Sequence, residues 1–241
     1  MRRAVLYAVT QVAPYGDGPA GVHGVLGQAA TALTQLARRR GLEPVVVEDV
    51  ADLPAVVLEH GGVLALFTIG ETPWDESQRQ AISSSVRAGR LGLLGVHSAT
   101  DACYGWPDYG VLLGARFDGH PWTERVALTV DTGHPATAHL PARWTWRDEI
   151  YLFRDLRPDA RVLVSVAEGQ LDMTVPGARR PGHGFPLAWC FAEGAGRVFY
   201  SALGHFPDAW EQPAYLRHLD GALGWLLEHE VDDPGGSLPV G

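Results

Sequence analysis

Two kinds of apolar patterning alternate along the first hundred residues. Leu91-Gly92-Leu93-Leu94-Gly95-Val96 is apolar or glycine at every position, as expected of a strand buried on both faces inside a parallel sheet. Gly62 to Ile69 reads the same way, and Arg3 to Val9 and Pro44 to Val47 are shorter strand signals. Between them, Val25 to Arg40 places Leu26, Ala30, Leu33, and Leu36 or Ala37 at helical spacing, with Gly41 as the stop. Asp49 to His60 reads as a short connecting helix. Thr72-Pro73-Trp74-Asp75 predicts a helix start with Thr72 as the cap and Pro73 at the first helical position. That helix extends to about Ala88, with Gly89 ending it. The order is β-α-β-α-β-α-β, which implies a parallel sheet with helices on both faces.

Beyond residue 97 the pattern changes. Tyr104 to Phe117 reads as loop and short helix; Arg125 to Asp131, Trp144 to Phe153 and Arg161 to Val166 read as strands. Leu187 to Ala192 and Arg197 to Ala202 flank Glu193-Gly194-Ala195-Gly196, a hairpin signal. Gln212 to Glu228 is the closing helix. Residues 1–230 form one expected domain, and 231–241, rich in proline and glycine, an expected frayed tail.

Composition narrows the function classes. A net charge of −9 with scattered arginines argues against nucleic acid. No signal-peptide core and no apolar run near membrane-spanning length appear, so a cytoplasmic protein without a membrane partner is expected. Cys103 and Cys190 make neither a disulfide framework nor a CxxC site. The 10 histidines and 8 tryptophans are many for this length and suit a metal or sugar site. A homo-oligomer is left open.

The chemistry concentrates where the apolar strand breaks, at Gly95-Val96-His97-Ser98-Ala99. Small residues here allow a sharp strand-to-helix turn that presents the central side chain at the sheet's carboxyl edge. Enzymes put a serine or cysteine nucleophile there; this chain has His97, suited to proton transfer or metal binding and poorly suited to forming an acyl-enzyme. Asp101 is read as a cap of the following helix or a proton carrier. His120, bracketed by Gly119 and Pro121, and His205, at the end of the hairpin's second strand, are further site candidates. Of the adjacent acids Asp148 and Glu149, only one can face the site on a strand; Glu149 is the inward choice, leaving Asp148 to solvent or an arginine. His23 falls in the loop after the first strand, also at the carboxyl edge. His134 and His139 are read as structural, and His60, His218 and His229 as solvated. Trp106, Tyr109 and Trp189, with Tyr104, Trp122 and Trp146, could offer ring faces to a sugar.

Several motifs together resemble one family. They are Val86-Arg87-Ala88-Gly89, Gly95 to Asp101, Trp106 to Tyr109, Leu113 to Pro121, His134 to Thr137, Asp148-Glu149-Ile150-Tyr151, Leu187-Ala188-Trp189 and Gly196 to His205. In this order they resemble the ThuA-like (trehalose-utilisation) proteins of the class I glutamine amidotransferase-like superfamily. The resemblance implies a flavodoxin-like α/β fold, here with an added β-hairpin, and a role in bacterial carbohydrate catabolism on a disaccharide or 3-keto-glycoside. Loss of a proton beside a ketone requires a base and a group to hold the enolate oxygen. His97, His120, His205 and Glu149 could supply both, directly or around a zinc or manganese ion held by His97, His120 and His205. The alternative is a non-catalytic relative that binds a sugar or metabolite. A working glutamine amidotransferase is disfavoured, because neither cysteine stands at the turn.

Overall fold

The structure, a computed structural model, describes residues 4–9, 24–47, 52, 53, 55, 61–167 and 169–228. Nine strands form one sheet in the order β2-β1-β3-β4-β11-β10-β9-β6-β7. The parallel half comprises β1 (Ala4–Val9), β2 (Glu43–Val47), β3 (Gly62–Phe67) and β4 (Leu91–Val96), joined by β11 (Gly196–Ser201). The antiparallel half adds β10 (Pro186–Glu193), β9 (Arg161–Val166), β6 (Trp122–Val130) and β7 (Arg143–Ile150). A separate pair, β5 (Arg116–Phe117) and β8 (Phe153–Arg154), ties the His120 loop to the chain after β7. The fold is α/β and flavodoxin-like. Its hairpin, β10–β11, joins the sheet through β11, which runs parallel to β4 and links the two halves.

β3 and β4 are buried at every position, as their unbroken apolar runs require. Helices cover both faces of the parallel half: α1 (Leu26–Arg39), α2 (Glu76–Arg87), α3 (Pro107–Leu113) and α4 (Pro213–Leu227). A side chain at Gly92 would strike Leu226 of α4, whereas one at Gly95, on the opposite face, would strike Leu113 of α3 and Tyr200. The buried stripe of α1 is Ala29, Ala32, Leu33, Leu36 and Ala37, rotated slightly from the expected one; Leu26 and Ala30 are only partly buried. α2 begins later than its Thr-Pro signal suggests. Asp75 is the cap, in a reciprocal capping box with Gln78, while the Thr72 hydroxyl bonds the Cys103 sulfur instead.

Most of the expected helix at 49–60, and the tail 231–241, lie outside the described residues. Among the described residues no helix is long and apolar enough to cross a membrane.

Candidate functional site

At the end of β4 the backbone turns through His97 with φ +47°, in the left-handed region. Such a conformation costs a residue with a side chain roughly 1–2 kcal/mol and is stored most often at functional sites. Gly95 permits the turn, since a Cβ there would lie 2.8 Å from Tyr200 and 2.9 Å from Leu113. One 3-10 turn follows, His97–Thr100, and the Tyr200 hydroxyl donates to the His97 carbonyl. This turn is four residues long, too short to hold an anion at a helix start. Asp101 ends it rather than capping its start, and its carboxylate accepts from the Tyr104 hydroxyl.

The His97 ring is fully buried. Its Nδ1 lies 2.8 Å from the Ala202 carbonyl oxygen. A carbonyl only accepts, so Nδ1 carries a proton and Nε2 faces the other side. Around Nε2 stand the Tyr151 hydroxyl at 2.9 Å, His205 Nδ1 at 3.2 Å and Glu149 Oε2 at 3.5 Å. His205 Nδ1 is in turn 3.3 Å from Glu149 Oε2, and His120 Nδ1 is 3.7 Å from Glu149 Oε1. The four residues nominated as catalytic therefore meet, although 108 positions separate His97 from His205.

Sheet curvature makes this meeting possible. β7 is five strands from β4, about 24 Å across a flat sheet at the usual spacing. The antiparallel half must curl back over the carboxyl end of β4 to bring Glu149 within reach of His97. Asp148 locks the curl. Its Oδ1 accepts from the amides of Glu149 and His205, and its Oδ2 from the Gly204 amide and the Trp146 indole. Asp148 is thus neither solvated nor paired with an arginine, contrary to expectation. Burial pushes its carboxyl up to about 6, against the pull of those four N–H donors. Gly204, at φ +116°, is needed here as well: a Cβ would sit 2.5 Å from the Tyr215 hydroxyl.

Burial also raises Glu149 to about 7, with the Tyr151 hydroxyl bond opposing it. His120 and His205 are lowered, again by burial first. His120 is the most open member, its side chain 43% exposed, followed by His205 at 29%. Solvent reaches the centre from that side while His97 forms its floor.

Tyr151 is the residue that sequence reasoning misses. It lies two positions beyond Glu149, so strand periodicity places both on one face. The expected sugar-stacking rings are otherwise engaged. Trp106 packs on Trp74 and Tyr109, the Tyr109 hydroxyl donates to the Ala99 carbonyl, and the fully buried Trp189 stacks on Tyr200 and donates to the Leu113 carbonyl. Their faces belong to the core. His23 lies outside the described residues. His134 and His139 hold backbone groups, consistent with structural roles. His218, expected in solvent, is fully buried between the Ala136 carbonyl and the Ser201 hydroxyl, and burial lowers it to about 4. Cys103 and Cys190 are buried thiols, each raised to about 11 by desolvation, so neither is an activated nucleophile.

A family model for trehalose-utilisation (ThuA) proteins matches residues 16–226. Among solved structures, a ThuA-like protein from Bacteroides uniformis matches with TM-score 0.76 and 22% identity, covering 95% of this chain and 93% of its own. A ThuA-like protein from Parabacteroides merdae gives TM-score 0.70 and 17% identity over 95% and 91% of the two chains. A GMP synthase component from Thermoplasma acidophilum shares the fold at TM-score 0.52 and 11% identity, over 93% and 94%. No curated protein sequence matches the chain. The matched family spans both halves of the sheet and every residue of the His97 centre, and the chain belongs to the ThuA, trehalose-utilisation, family.

Proposed function

We propose that this protein is an enzyme of carbohydrate catabolism that moves a proton beside the ketone of an oxidised (3-keto) disaccharide or glycoside. The observation that carries this reading is the convergence of His97, Glu149, His205 and Tyr151 at the strained turn where related folds place a nucleophile. Removing a proton next to a carbonyl needs a base on the substrate side and groups that hold the oxygen as charge develops. His120, the most exposed member, sits where a base can touch substrate. Behind it lie His205, Glu149 and Tyr151; the O–H groups of Tyr151 and of Glu149, a carboxyl that burial raises to about 7, would hold the sugar oxygen. His97 acts chiefly by positioning, since its ring has no exposed surface. Along β7, the strand that carries Glu149, Trp144, Trp146 and Arg147 line a cavity of about 190 Å³ that would seat part of a sugar.

Plain and 3-keto disaccharides incubated with the wild-type protein, with and without divalent metals, test the reading. Consumption of the keto-sugars over the plain ones is expected, with His120→Gln slowed by about 10²-fold or more. Ligand binding without turnover, unaltered in His120→Gln, would instead favour a sugar-binding relative.

A further inference from the structure

We propose that His97 Nε2, Glu149 Oε2 and His205 Nδ1 form a three-ligand site for a zinc-like divalent cation, with the fourth place open to water or a sugar oxygen. The three donor atoms lie 3.2, 3.3 and 3.5 Å apart and all fall within one small sphere. A tetrahedral zinc bound at 2.0–2.2 Å separates its ligands by about 3.3–3.6 Å. An octahedral ion at about 2.1 Å would bring neighbouring ligands to about 3.0 Å. The spacing therefore fits tetrahedral zinc better than manganese or magnesium. Two imidazoles and one carboxylate are also a donor set that zinc accepts in catalytic sites.

The outer contacts match as well. Metal-bound histidines usually donate their second ring N–H to a carbonyl or carboxylate, which fixes the tautomer. His97 does so through Nδ1 to Ala202, leaving Nε2 as the ligand. Asp148 holds the backbone amides of both other ligand residues, Glu149 and His205. The expected third histidine, His120, is displaced by Glu149: His120 approaches only the other carboxylate oxygen, at 3.7 Å, and belongs to the outer rim.

The inference rests on donor geometry and stands apart from the sugar reading. Zinc content and affinity are measured on protein stripped with a chelator, reloaded with zinc and desalted, using competition with a chromophoric chelator. One zinc per chain is expected. His205→Ala and Glu149→Gln should each weaken binding by more than the roughly 100-fold that loss of an outer partner costs. His183→Ala, at an exposed histidine outside the cluster, should bind as wild type does. Cobalt in place of zinc should give the strong visible absorption of a four-coordinate ion. Substoichiometric zinc in the wild type, or unaltered affinity in both ligand variants, would overturn the site. Because His205 is partly exposed, His205→Ala keeps the comparison sound if Glu149→Gln folds poorly. Zinc bound without keto-sugar turnover would sink the enzymatic reading and spare the metal site; turnover by a protein that fails to take up zinc would do the reverse.

Discussion

Glu149→Gln should lower turnover by about 10³-fold, the scale of a lost acid–base or charge-holding group, while making the chelated protein more stable above neutral pH. The opposite signs have one cause. Burial raises the Glu149 carboxyl to about 7, so ionising it costs the folded state more than the unfolded chain. A raised acid contributes stability that is fully present below its unfolded value and is lost as pH rises through about 7. Glutamine keeps the shape without the charge. At pH 8 the metal-free variant should therefore gain about 2 kcal/mol over wild type, after allowance for the carboxylate's partial exposure. That corresponds to about 4–8 °C in a protein of this size. The gain should shrink as pH falls below 7 and vanish below the usual glutamate value of 4.5, where the carboxyl is neutral in the folded and the unfolded chain alike. Thermal melts across this pH range, beside rates on keto-sugars, check both halves. A variant less stable than wild type at pH 8 in chelator would show that the carboxylate is stabilised rather than strained.

Asp148→Asn should give the largest loss of stability, about 3 kcal/mol, because a buried group with four N–H donors loses half of its acceptors. Each Asp148 oxygen receives two donors. Asparagine has one oxygen, and its amide would face either the Gly204 amide and Trp146 indole or the Glu149 and His205 amides. The melting temperature should fall by roughly 6–12 °C, and denaturant unfolding measures the same loss. Activity should fall too, since His205 loses the bond that sets its backbone. Replacing Asp155, 80% exposed and remote in role from the centre, in the same way should change neither. A stable, active Asp148→Asn would mean that the curl of the sheet is held elsewhere.

The parallel half of the fold is legible because its strands are buried on both faces, and unbroken apolar runs such as Leu91 to Val96 announce that directly. The turn at His97 is legible from its small neighbours, and φ +47° is the strain those neighbours accommodate. What the residues do not reveal is the route from β4 to β7. Strand order in the antiparallel half depends on pairings between distant segments, and curvature depends on contacts such as Asp148 to Gly204 that leave no local pattern. For that reason the residues alone point Asp148 to solvent or an arginine. Tyr151 is within reach, since alternation from Glu149 places it on the same face. The tryptophan and tyrosine rings mislead for a simpler reason: a ring that stacks on sugars and one that fills a core have the same residue name, and only burial separates them.

The most direct test is solvent deuterium exchange at the carbon beside the ketone of a 3-keto disaccharide, followed by proton NMR. Wild-type protein should wash deuterium into that position, and Glu149→Gln and His120→Gln, both folded, should do so at least about 10²-fold more slowly. Exchange at the wild-type rate in both variants, or none above buffer in the wild type, would contradict a proton-transfer role for the His97 centre.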